Sequence, residues 1–199
     1  MQTASPNLTQ RIPIIEETVK WHFVKQLPNG INDQLGVDYV DYYWLHGLNA
    51  QTYRQAEEMH AFDFIQTQKA EGKIHHIGLS FHDKAELLDE ILTAHPELEY
   101  VQIQLNYLDW NDPAVESRLC YEVAVKHHKP VIVMEPVKGG SLIQIPVPAK
   151  DLFEKAHPDL SVASWAIRFA ASPSHVMMVL SGMSDEQQVA DNISYMKDF

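Results

Sequence analysis

Val131-Ile132-Val133-Met134, continued by Glu135-Pro136-Val137-Lys138-Gly139-Gly140, is the stretch on which the reading of the fold turns. Four apolar residues in succession leave no polar face. Strands of a parallel sheet read this way because they are covered on both sides. The polar and glycine-rich run after it then marks where such a strand meets solvent. Working outward, similar β-branched and aromatic runs occur at Tyr39–Leu45, Ile74–Ser80, Tyr100–Leu105 and Val176–Ser181.

The segments between these runs carry helical spacing. Leu87, Leu88, Ile91 and Leu92 share one face, as do Val115, Leu119 and Val123 at steps of four. Helix starts are expected at Asp112-Pro113, an N-cap with proline in the first turn, and at the capping-box pairs Asp83/Glu86 and Ser184/Gln187. Five strand-helix units in tandem over residues 37–199 predict an α/β fold with parallel pairing and right-handed crossovers. A doubly wound nucleotide-binding sheet would want a GxGxxG turn, and none is present. A full eight-stranded barrel takes about 250 residues. The expectation is therefore a partial or truncated (β/α)8 TIM barrel over residues 37–199. It is preceded by a segment, 1–36, that holds a helix from Pro13 to Leu27 and a turn at Pro28-Asn29-Gly30.

Bulk properties narrow the function. The chain has 199 residues, a formal net charge of −12 and no Lys/Arg cluster, so nucleic acid is not an expected partner. A single cysteine, Cys120, excludes an internal disulfide and a cysteine-ligated metal cluster, and as a helical neighbour of Leu119 it reads as a packing residue. No apolar run has signal-peptide or membrane-spanning length, so the expected setting is the reducing cytoplasm, away from membranes. The histidines do not form a metal site on this reading. His75 and His76 are adjacent in a strand and point to opposite faces, and His127-His128 closes a helix where imidazole suits the dipole.

A barrel gathers its working residues at the C-terminal ends of its strands. Those ends read His46-Gly47, Ser80-Phe81-His82, Gln104-Leu105-Asn106, Glu135 to Gly140, and Ser181-Gly182-Met183. The wording is similar to that of the aldo-keto reductases. Val37 to His46 resembles that family's fourth strand with its catalytic histidine, and Glu71 to Ser80 the fifth, with the serine that holds the nicotinamide carboxamide. Val101-Gln102-Ile103-Gln104-Leu105-Asn106-Tyr107 resembles the sixth, whose glutamine binds the same amide. Val133 to Leu142 resembles the seventh strand and the loop around the pyrophosphate, and Ser181 to Asn192 the eighth strand and the helix start at the adenosine half. Gly-Leu-Ser-Phe-His and Met-Glu-Pro-Val-Lys-Gly-Gly are closest to a bacterial branch that can carry a C-terminal iron-sulfur domain. With one cysteine, no such cluster is expected in this chain.

The resemblance implies an oxidoreductase that interconverts a carbonyl and an alcohol with NAD(H) or NADP(H). His46 would orient the carbonyl, and Ser80 and Gln104 would hold the carboxamide. Glu135, Gly139, Gly140 and Leu142 would line the pyrophosphate, and Ser181, Gly182, Met183, Gln188, Asp191 and Asn192 would face the adenosine. Departures accompany it. The tyrosine, lysine and aspartate that complete the catalytic set have no counterpart in this sequence, Met134 stands for a stacking aromatic, and Phe81 for an asparagine. Residues 182–188 hold no Lys or Arg to grip a 2′-phosphate, which favours NAD(H). Plainer roles also exist: a core histidine at 46, backbone satisfaction by Ser80 and Gln104, and turn glycines at 139 and 140. Three readings stay open. The chain is an oxidoreductase, a non-catalytic binding or assembly module, or a fragment of a full-length enzyme. Two unpaired sheet edges would favour a homo-oligomer or a covering partner.

Overall fold

The computed structural model describes residues 37–196. The expected helix over Pro13 to Leu27 and the turn after it lie outside the described residues. The fold is α/β, with five strands in chain order along the sheet. The chain divides into two compact units. One runs to Asp83 and includes Glu90–Val101; the other holds Lys84–Asp89 and everything from Gln102.

The first unit is built on β1 (Val40–Leu48) and β2 (Ile74–Phe81), paired parallel from Val40 opposite Ile74 to Leu45 opposite Leu79. Tyr43, Trp44 and Leu45 are all buried, so β1 is covered on both faces, as a parallel strand should be. The register slips between Leu45 and Leu48, a bulge that brackets His46 and Gly47. Two helices link the strands, α1 (Ala50–Glu58) and α2 (Ala61–Ala70). Asn49 opens α1 with a capping box. Its side chain accepts from Gln51 N and Thr52 N, while Thr52 Oγ1 accepts from Asn49 N at 2.8 Å. Gly78 sits where no side chain fits: a Cβ there would lie 2.6 Å from both the ring and the carbonyl oxygen of Tyr100. Tyr100 in turn meets the edge of Trp44, with ring centroids 6.3 Å apart.

The unit boundary passes through α3 (Ala85–Ala94) and β3 (Tyr100–Gln104). The second unit continues with α4 (Ser117–Lys126), β4 (Val131–Met134), a short 3-10 turn at Ser141–Ile143, α5 (Val147–Ala156), α6 (Val162–Ala171), β5 (Val176–Val179) and α7 (Glu186–Met196). β4 pairs parallel with β5, Val131 opposite Val176 and Val133 opposite Val179. All four β4 residues are buried, as the sequence predicts, whereas β5 is half-exposed with Met177 turned out.

Two local expectations shift, at α4 and at α7. Asp112 does cap a turn, taking Ala114 N on its side chain at 2.7 Å, but Glu116 enters the left-handed region (φ 57°), and α4 begins only at Ser117. That re-phases the helix. Ser117, Cys120 and Ala124 form its buried face, and Leu119 is 40% exposed. Cys120 is a packing residue, as expected. At α7 the cap is Asp185, whose carboxylate takes Gln188 N at 2.8 Å, one residue later than the Ser184/Gln187 pair suggests. Asp83 reaches across to the other helix of its unit and accepts from Ala50 N, the first amide of α1, at 2.8 Å. The amide of Ala85 is taken by Glu116 Oε2 at 3.0 Å.

Candidate functional site

In the first unit the sequence-predicted residues His46 and Ser80 come together at the C-terminal ends of β1 and β2. Gly47, in the left-handed region (φ 71°), donates its amide to Ser80 Oγ at 2.7 Å. Just beyond the sheet, His82 N donates to Leu48 O at 2.8 Å. Beside the bulge the half-buried His46 ring meets His82 edge-on with centroids 6.1 Å apart. Ser80 is fully buried, and its oxygen is occupied by the Gly47 amide. The backbone-satisfying role weighed for this serine is therefore real, and the hydroxyl proton remains to be donated elsewhere.

In the second unit β3 ends in a cluster of polar side chains. Gln104 is half-buried, and its Nε2 donates to Asp109 Oδ2 at 2.7 Å. One pleat earlier on the same strand face, Gln102 is fully buried, and neither its Nε2 nor its Oε1 has a hydrogen-bond partner. An amide left in this state costs about 1–3 kcal/mol per unpaired group, so a residue that carries it asks for a ligand. Period-two alternation puts both glutamines on one face, and nothing in the sequence separates them; burial does.

Asp109, another residue the sequence reading passed over, is fully buried and collects Gln104 Nε2, Asn106 Nδ2 (2.7 Å) and Lys138 Nζ on its carboxylate. Burial works to raise its carboxyl pKa. The hydrogen bonds from Lys138, Asn106 and Gln104, with the Lys138 charge, outweigh that and hold it below the usual carboxylate range. Asn106 Oδ1 closes the turn by accepting from Leu108 N and Asp109 N.

The loop after β4 holds the other predicted residues. Glu135 is exposed, Gly139 and Gly140 both have positive φ (59° and 87°), and Leu142 is buried with its carbonyl accepting from Tyr107 Oη at 3.4 Å. After β5, Asn192 Nδ2 donates to Ser181 Oγ at 2.8 Å and Ser161 Oγ donates to Asp191 Oδ2 at 2.6 Å. Gln188 folds back on its own helix start, its Oε1 accepting from Ser184 N at 2.8 Å. Gly182 and Met183 are exposed. The structure thus joins Ser181 to Asn192, while Gln188 and Asp191 are engaged in local bonds. Among the described residues no group of three His, Cys, Asp or Glu is placed to hold a metal ion. No helix among them is long and apolar enough to cross a membrane.

Solved structures with a similar fold include aldo-keto reductases. AKR11C1 from Bacillus halodurans in its holo form superposes with a TM-score of 0.69 at 20% identity, covering 88% of this chain and 62% of its own. An aldo/keto reductase from Klebsiella pneumoniae in complex with NADP and acetate gives 0.62 at 17%, covering 83% and 56%. The thermostable Tm1743 in complex with the inhibitor epalrestat gives 0.66 at 18%, covering 83% and 57%. The chain therefore spans less than two thirds of the length of these proteins. No curated protein matches it. The family model described as the aldo/keto reductase family matches residues 12–198, and the chain belongs to that family.

Proposed function

We propose that the chain carries the nicotinamide-binding portion of an oxidoreductase that interconverts a carbonyl and an alcohol, with its strands equivalent to the fourth through eighth of a (β/α)8 barrel. The observation that supports this most directly is the Gln102 side chain, buried with both amide atoms unpaired. A primary carboxamide is the reciprocal group, since it donates to Oε1 and accepts from Nε2. The role that the family resemblance gives to Gln104 thus passes to Gln102, because Gln104 is already bonded to Asp109. When bound, the nicotinamide supplies or takes the hydride. The chain's own residues bind and orient. Ser80 gives its free proton to the carboxamide oxygen. His46 donates to the substrate carbonyl oxygen and fixes its direction. Gly139, Gly140 and the buried Leu142 backbone shape the loop for the pyrophosphate, and Ser181 with Asn192 forms the adenosine end.

NAD(H) is favoured over NADP(H), because the stretch 182–188 has no cation for a 2′-phosphate. Calorimetric titration of the purified chain with NADH and NADPH tests the reading. The expected result is binding of NADH with a weaker response to NADPH. Gln102→Leu should lower that affinity about tenfold while raising thermal stability, since it removes an unpaired buried amide. Absence of binding by either dinucleotide overturns the proposal.

A second reading, a binding or assembly module, is favoured by one feature. Val189, Ile193 and Met196, at i, i+4 and i+7 of α7, are 39%, 61% and 37% exposed. Sedimentation that finds only monomer over a wide concentration range counts against self-association.

A further inference from the structure

Two non-glycine residues of the β4 loop, Glu135 (φ 56°) and Lys138 (φ 49°), hold left-handed backbone conformations that no side-chain preference explains. A bulky residue stays in such a conformation only when its surroundings over-determine it. Here the surroundings are one short turn. Asn106 Nδ2 donates to the Glu135 carbonyl at 3.1 Å, and Lys138 Nζ is bound by the buried carboxylate of Asp109. The turn is itself rigid: Asn106 Oδ1 takes the amides of Leu108 and Asp109, Asn106 Nδ2 also meets Asp109, and Ser117 Oγ anchors the Gln104 carbonyl at 2.8 Å. The two strained residues are thus tied to one turn, Glu135 through Asn106 and Lys138 through Asp109. Directly after them come Gly139 and Gly140, also left-handed, and the loop closes through Gly140 N to Val137 O and Ser141 N to Lys138 O, each at 3.0 Å.

We infer that the Asn106–Asp109 turn is a latch that sets the β4 loop in its phosphate-binding shape, with Asp109 and Asn106 as positioning residues and Lys138 as the latched group. The inference rests on the reading of this loop as a dinucleotide pyrophosphate site. Binding to a loop already held in shape costs no ordering at the moment of association, so the latch acts on affinity. Lys138 is the bolt, and its charge is committed to Asp109 before a ligand arrives.

The test pairs hydrogen exchange without ligand with calorimetric titration of NADH and NADPH. Asp109→Asn alone leaves the Lys138 ammonium without its counter-charge. The double variant Asp109→Asn/Lys138→Met removes both charges together and serves as the second construction should the single one fail to fold. In either variant, amides of residues 137–142 should exchange about tenfold faster while Ile77 and Leu79 of β2 keep their protection, and dinucleotide affinity should fall about tenfold. Lys138→Arg, which keeps the ion pair, should restore both readouts. Unchanged loop exchange overturns the latch whatever the affinity does. Faster exchange with unchanged affinity overturns its role in binding. Uniform loss of protection, β2 included, marks a merely structural role and also overturns it. Wild-type protein that binds neither dinucleotide overturns the functional reading itself, and is told apart because it appears before any variant is made.

Discussion

Gly78→Ala isolates one contact and predicts its cost. The added methyl would lie 2.6 Å from the Tyr100 carbonyl oxygen and 2.6–2.7 Å from two atoms of the Tyr100 ring. Neither neighbour can retreat. The oxygen belongs to the backbone of β3, and the ring is 1% exposed and wedged against Trp44. Overpacking of a filled core costs about 1–3 kcal/mol, and displacement of backbone puts this case at the upper end. Replacing a strand glycine returns about 0.5–1 kcal/mol. The net expectation is a loss of about 2–3 kcal/mol, which for a chain of this size lowers the melting temperature by roughly 4–12 °C. Two controls frame the measurement by urea denaturation and calorimetry. Gly72→Ala meets no atom within 4 Å but must hold φ +74°, so it should cost only about 1–2 kcal/mol. Gly182→Ala meets nothing and has ordinary backbone, so it should be neutral or gain up to about 1 kcal/mol. A Gly78→Ala protein within 1 kcal/mol of wild type, or one no worse than Gly72→Ala, would refute the close approach of β2 and Tyr100.

Tyr43 is buried with its hydroxyl unpaired, so Tyr43→Phe should stabilise the fold by about 1 kcal/mol in urea titration. Burial pushes the Tyr43 pKa up to about 12, so the folded state holds a proton that the unfolded chain releases above pH 10. The stability tied to this proton is whole below pH 10 and declines as pH rises toward about 12; Tyr43→Phe should flatten that alkaline fall. The Asp109 carboxyl is lowered, so its contribution is present above about pH 4 and is lost as pH falls below it, and Asp109→Asn should abolish that part of the acid limb. Ser80→Ala leaves the Gly47 amide without its acceptor and should cost about 1–3 kcal/mol, measured by thermal unfolding; an unchanged melting temperature would remove Ser80 from the bulge.

The strands were legible from their β-branched and aromatic runs, β4 most plainly because it is apolar and buried throughout, and all five sit where those runs place them. Their ends were less so. β1 runs on to Leu48 because the Gly47 bulge keeps it paired, and β5 stops at Val179. The start of α4 was misplaced because Asp112-Pro113 is a genuine cap, though of a single turn, and the left-handed Glu116 that breaks it carries no sequence signature. At the site, His46 and Ser80 stood out by strand-end position. The difference between Gln104, bonded to Asp109, and Gln102, buried without a partner, was invisible, since both lie on one face and differ only in what surrounds them. Asp109 and Lys138 were overlooked for a related reason. They lie 29 residues apart, and an ion pair across that interval leaves no periodic trace.

The lacing of β1 to β2 at their C-terminal ends bears on how this protein would be redesigned. Gly47 to Ser80, Leu48 to His82 and Ala50 to Asp83 are three stitches over a handful of residues. Lengthening either connection would unpick all three and let the histidine swing. Insertions belong instead in the stretch between Ile143 and Val147. There the side chains of both end residues face solvent, 48% and 71% exposed, and extra chain would disturb no tie between strands.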